Sequence, residues 1–176
     1  RTPPDFESAE KAYRLAWKLN PRDPRPYVGL GNIYWDQRRY PEAATAYRDA
    51  LRYIARPTVS FGVLSTPSGM GGNPGARVHL SSRTETRVYL AATFLQEQKF
   101  LVAERELREA ISSDSKNPEW NAMLGYALSS QGRYTEASGS YENAVRFAPD
   151  NEEYKELQRQ SSLKAREASN NDQAMT

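Results

Sequence analysis

The 176-residue sequence has no cysteine and a single histidine, His79. The first absence excludes a disulfide framework, a thiolate metal site and a cysteine nucleophile. The second excludes a multi-histidine metal centre and leaves His79 as the only possible imidazole base. No apolar run approaches the roughly 20 residues that a membrane-crossing helix needs, so no membrane span is expected. The sequence opens at Arg1 without a basic-then-apolar leader, and it reads as a piece of a longer protein. An excess of one charge is lacking too, since 24 Lys+Arg face 22 Asp+Glu for a net charge of +2. The charge runs from net +4 over residues 1–56 to −2 over 150–176. Such a gradient can steer a charged partner, but it is no dense basic stripe, and no nucleic-acid partner is expected.

What the sequence does contain is an internal repeat. Ala9, Tyr13 and Ala16 recur 34 residues later as Ala43, Tyr47 and Ala50. Ala103, Leu107 and Ala110 precede Ala137, Tyr141 and Ala144 by the same 34. The step from Ala43 to Ala103 is 60, one period plus 26 inserted residues. A second pattern precedes each complete copy: Leu30-Gly31 with Tyr34, Leu90-Ala91 with Phe94, Leu124-Gly125 with Leu128. An aromatic stands three residues before each leading alanine, at Phe6, Tyr40, Phe100 and Tyr134. Each copy therefore carries two apolar stripes at helical spacing, and the small residues let neighbouring helices approach closely. A single helix pair cannot bury its apolar face, so the pairs must stack.

These spacings resemble the tetratricopeptide repeat family. The resemblance implies an all-α, right-handed superhelical solenoid of antiparallel helix pairs, with a long irregular insertion and a C-terminal capping helix. In sequence numbers it divides into the second half of a truncated repeat at 5–22, repeats at 24–57, 84–117 and 118–151, an insertion at 57–83, a capping helix at 150–168 and a polar tail at 169–176. Helices are expected at 5–19, 24–37, 41–55, 83–97, 101–113, 118–131, 135–147 and 150–168. Asp23-Pro24 and Asn117-Pro118 are start signals, and Ser82-x-x-Glu85 and Asp150-x-x-Glu153 read as capping boxes. Arg38 and Gln98 stand where the family often has the turn glycine that Gly132 supplies. Helix 5–19 lacks its first partner, so more repeats are expected before it, and Leu15 and Trp17 are candidates for self-association.

The insertion holds five of the ten glycines. Val59, Phe61 and Val63, and again Val78 and Leu80, alternate as extended segments do, and a hairpin around 65–76 is one arrangement they allow. Gly69, Gly71, Gly72 and Gly75 have the look of a phosphate cradle, but Pro74 intervenes and no lysine is near, so nucleotide binding is not expected. Long loops in compact folds are often functional, and this one either covers a partner groove or is a tolerated surface insertion.

By family register, the concave groove is lined by Arg25, Val28, Asn32, Trp35 and Asp36 in one repeat, by Glu85, Val88, Tyr89, Ala92, Leu95 and Gln96 in the next, and by Glu119, Ala122, Tyr126, Ser129 and Ser130 in the last. Trp35 is read either as a binding anchor or as packing beneath the insertion. Some family members grip a partner's C-terminal carboxylate with a clamp of basic residues and two asparagines. Asn32 matches one asparagine, but the basic positions are Val28, Glu119 and Met123 and the second asparagine position is Tyr89, so that clamp is not expected. Tyr89 and Tyr126 can hydrogen-bond a peptide backbone. No catalytic centre, metal or cofactor is expected: Glu104, Glu106 and Glu109 alternate with Arg105 and Arg108 as on a solvated ion-pair face. The expected function is a non-enzymatic scaffold that binds a peptide or helix of a protein partner. A regulatory or targeting domain of a larger enzyme, and an element that assembles end to end, are the readings that stay open.

Overall fold

The computed structural model describes residues 5–54 and 78–174, with backbone alone at 78–82 and 172–174. Among these residues the regular structure is all helical: α1 (Phe6–Leu19), α2 (Pro24–Asp36), α3 (Tyr40–Tyr53), α4 (Val78–Gln96), α5 (Phe100–Ile111), α6 (Pro118–Ser129), α7 (Tyr134–Phe147) and α8 (Glu152–Ala174). The architecture is an all-α helical-repeat solenoid. It forms two compact units, Arg1–Thr86 and Arg87–Thr176, with the boundary inside α4.

The start signals act as their chemistry dictates. The Asp23 carboxylate accepts from the Arg25 N–H at 2.9 Å ahead of Pro24, and the Asn117 side chain accepts from Trp120 N–H at 3.1 Å ahead of Pro118. Each satisfies an amide that the first helical turn leaves without a partner. α3, α5 and α7 have no side-chain cap and follow instead from a tight turn closing the helix before. Arg39, Lys99 and Arg133 N–H reach back to the carbonyls of Tyr34, Phe94 and Leu128 at 2.8, 2.8 and 3.0 Å. The residue before each lies in the left-handed region: Arg38 at φ 59°, Gln98 at 57° and Gly132 at 76°. This is the Schellman arrangement, which favours glycine because a Cβ is strained there.

In the first unit the ring of Tyr47 lies where a Cβ on Gly31 would be, 2.5 Å from that position, and in the second Tyr141 meets Gly125 at 2.7 Å. The absent side chain is thus filled by an aromatic ring sixteen residues on. Ala91 and Leu107 hold the same two positions and share the buried cluster with Leu124, Leu128 and Tyr141. Where the small residue gains a methyl, the large one loses its ring, and volume is conserved.

Several boundaries differ from the sequence reading. α4 begins at Val78, so Val78 and Leu80 are helical rather than extended, and Ser82 lies inside a helix rather than capping one. Arg83 on α4 donates to the carbonyls of Leu51 and Ile54 at 3.0 and 2.7 Å, satisfying the open end of α3. α8 is capped by Asn151, which accepts from Tyr154 N–H at 3.1 Å, not by Asp150. It continues to Ala174 through the segment read as a loose tail. The hairpin and the glycine cluster at 57–77 lie outside the described residues.

Candidate functional site

The first helix of each pair buries one face and leaves the other open. On α4, Leu90, Ala91, Thr93 and Phe94 are buried, while Val88, Ala92 and Leu95 are half-buried, Gln96 is exposed and Tyr89 is 45% exposed. At 100° per residue these last five, with Glu85, share one side of the helix. On α6 the open side carries Glu119, Tyr126 (50% exposed) and Ser130. The Tyr126 ring meets Phe100 edge-on, with centroids 6.0 Å apart, so the phenol projects from a fixed aromatic base. Ala122, placed on the groove by register, is 8% exposed and belongs to the core cluster. Ser129 is half-buried and its hydroxyl pairs with Ser161 of α8 at 3.2 Å. α8 is thus laid beside α6 over the position that Ser129 was expected to offer.

In the first unit the open side of α2 carries Arg25, Asn32 and Asp36, with Val28 and Trp35 half-buried. The Arg25 guanidinium is held by Asp23 at 2.6 Å, and the Asn32 carbonyl accepts from the Tyr47 hydroxyl at 2.8 Å. The indole of Trp35 packs edge-on against Tyr40, with centroids 5.3 Å apart. Its expected packing beneath the insertion falls outside the described residues.

Sequence reasoning missed a charged network that occurs once in each unit. Arg133 bonds Glu104 at 2.6 Å and Glu136 at 2.6 Å, Arg108 bonds Glu104 at 2.9 Å, and Gln131 donates to Glu104 at 3.0 Å. Every member has a counterpart 94 residues earlier. Arg39 bonds Glu42 at 3.0 Å and approaches Glu10 at 3.9 Å, Arg14 bonds Glu10 at 2.7 Å, and Gln37 accepts from Arg39 at 3.1 Å. Applying the repeat offset to charged as well as apolar residues would have found it. Glu104 and Glu106, expected on a solvated face, are buried. Burial pushes the Glu104 carboxyl up, but the bonds from Gln131, Arg108 and Arg133 together hold it below its ordinary value. Glu106 is paired with Arg87 at 2.6 Å. These carboxylates are saturated by cations, as structural groups are. Among the described residues no group of His, Asp or Glu is placed to hold a metal ion, and no helix is long and apolar enough to cross a membrane. A depression of about 330 Å³ between Gly132–Glu136 and Ala165–Ser169 is walled by the Arg133–Glu136 pair and lies apart from the open faces.

A helical-repeat array built of matched helix pairs defines a class, and comparison with known proteins gives its family. Tetratricopeptide-repeat family profiles match residues 5–58 and 94–161, and the chain belongs to that family. No curated protein matches the sequence. Among solved structures, the chain is similar to the Arabidopsis OM64 TPR domain, with 19% identity, coverage of 80% of this chain and 95% of that one, and a TM-score of 0.60. It is similar to YrrB, described as a TPR protein with an unusual peptide-binding site, with 18% identity, coverage of 90% and 69%, and a TM-score of 0.69. The first TPR of Spaghetti (RPAP3), solved bound to the HSP90 peptide SRMEEVD, aligns with 18% identity, coverage of 80% and 91%, and a TM-score of 0.61.

Proposed function

We propose that the chain is a non-enzymatic protein-interaction scaffold that takes a peptide or helix of a partner on the open faces of its first helices. The observation that carries this reading is the pair of half-exposed tyrosines, Tyr89 and Tyr126, on the outer sides of α4 and α6. An aromatic held by a neighbour yet open to solvent loses little freedom when it is covered, and it brings both apolar area and a hydroxyl. Two similar structures are described as peptide-binding or peptide-bound. The test is a synthetic peptide array probed with the purified chain. Tyr126→Ala should weaken retained peptides by about tenfold or more, the order of a hot-spot truncation, with an unchanged melting temperature. Unchanged binding in both Tyr126→Ala and Tyr89→Ala would overturn the reading.

A second reading, self-association through α1, is favoured by one observation. α1 buries none of its residues, and Leu15 and Leu19 are 58% and 79% exposed. Sedimentation velocity over a concentration series tests it: the chain should shift to a larger species with concentration, and Leu15→Glu with Leu19→Glu should abolish the shift. A concentration-independent monomer would exclude it.

A further inference from the structure

The Tyr47 side chain is 2% exposed, and its ring fills the space that Gly31 leaves. Its hydroxyl reaches the outer side of α2 and donates to the Asn32 carbonyl at 2.8 Å. A phenol proton needs an acceptor, and of the two ends of an amide only the carbonyl is one. The bond therefore fixes which way the Asn32 amide is turned. Its oxygen lies toward Tyr47, and its two N–H groups face outward. Asn32 is exposed, and its nitrogen donates to no atom among the described residues.

The other repeats show that the fold does not need this pair. Sixty residues on, the two positions are Leu107 and Ala92, and that copy fills its core with neither hydroxyl nor amide. Ninety-four residues on, Tyr141 keeps the buried ring, yet Tyr126 stands in place of the asparagine. A tyrosine at this depth thus does not dictate an amide beside it. What Tyr47 adds to Asn32 is orientation. An exposed asparagine otherwise samples several rotamers, and a partner that uses it must restrict that freedom on binding. Asp36 stands one turn further along the same side of α2 and repels a carboxylate, so the acceptor suited to Asn32 is a neutral main-chain carbonyl.

We infer that Tyr47 is a positioning residue for peptide recognition: its hydroxyl holds the Asn32 carbonyl so that the amide N–H groups face the open side of α2 and donate to a main-chain carbonyl of the bound peptide. This rests on the peptide-scaffold reading and adds a named donor, its acceptor and the buried group that aims it.

The experiment has a readout without ligand and one with it. In the free, 15N-labelled chain the Asn32 side-chain amide should be as ordered as a packed group, and Tyr47→Phe should lower its order parameter at unchanged helicity. Peptides retained in the array are then resynthesised with a fluorescein label and an amidated C-terminus, and measured by anisotropy. Tyr47→Phe and Asn32→Ala should each weaken binding roughly three- to tenfold, the order of one neutral hydrogen bond. The double variant should lose no more than Asn32→Ala alone, because the hydroxyl acts through the amide. Asn32→Asp keeps an acceptor for Tyr47 but turns an oxygen outward, and it should bind no better than Asn32→Ala. An unchanged order parameter, unchanged binding in Tyr47→Phe, additive losses in the double variant, or full binding by Asn32→Asp would overturn the inference, while a loss in Tyr126→Ala would leave the scaffold reading standing. Retention of no peptide at all would overturn both.

Discussion

The two units use the same parts at different depths. Leu107 in the second unit is fully buried between α4 and α6, while Tyr13, its counterpart 94 residues earlier, is 38% exposed. Glu104 and Glu10 hold the same network, yet the Glu104 side chain is about half as exposed as that of Glu10. The difference does not lie in residue type. Ala9, Tyr13 and Ala16 follow the pattern of Ala43, Tyr47 and Ala50, which are buried. It lies in the surroundings: among the described residues α3 packs closely against α2, whereas α1 packs more sparsely on α2 and turns Tyr13 onto Gly29. In a repeat array a side chain's depth is set by its neighbours along the array.

Equivalent substitutions in the two units turn this contrast into measurement, by urea unfolding followed by helicity. The largest effect is expected at Leu107→Ala, which should cost about 2–5 kcal/mol, while Tyr13→Ala should cost less than half as much. Equal losses would break the comparison. Next, Gly125→Ala drives a methyl into the Tyr141 ring and should cost roughly 1–3 kcal/mol. Adding Tyr141→Leu rebuilds the Ala91–Leu107 combination, and the Gly125→Ala penalty should disappear in that background. An additive double variant would show that the small and large positions are not matched.

Third, Glu104→Gln should cost about 1–3 kcal/mol, and Glu10→Gln below about 1 kcal/mol, as a more exposed pair does. The pH dependence separates them further. Both carboxyls are held below the unfolded value of 4.5 when folded. Their contribution is therefore complete above that pH and drains away as the pH falls through and below it. Glu104→Gln should flatten the acid limb of the stability profile more than Glu10→Gln does. The smallest effect is expected at the turns. Arg38→Gly and Gln98→Gly relieve a left-handed backbone and should each stabilise by about 0.5–1 kcal/mol, whereas Gly132→Ala should destabilise by a similar amount.

Much of the helical order was legible because apolar residues recur at a fixed step, and a face that must be buried cannot drift in position. Boundaries were legible where a cap has one donor to satisfy, as at Asp23 and Asn117. They failed where a short polar pattern arose by coincidence: Ser82-x-x-Glu85 has the wording of a capping box but sits within the longer α4. Asp150 and Asn151 are both competent caps, and nothing in their order shows which one the chain will use. On the candidate site, the register implied by the family resemblance put Tyr89 and Tyr126 among the groove residues, and both are exposed. It also put Ala122 there, because register does not reveal that a small side chain is overshadowed by the larger ones around it. The buried Glu104 network joins residues 27 and 29 apart, which no local spacing rule connects.

The hydrogen bonds from Arg83 have a practical reach. The chain leaves α3 at Ile54, and 29 residues later one guanidinium nitrogen clasps the carbonyls it left behind. That clasp anchors both margins of the detour to one spot, which makes it a place to graft foreign sequence. An epitope or reporter spliced between the two margins would be displayed from a fixed base, provided Arg83 is kept.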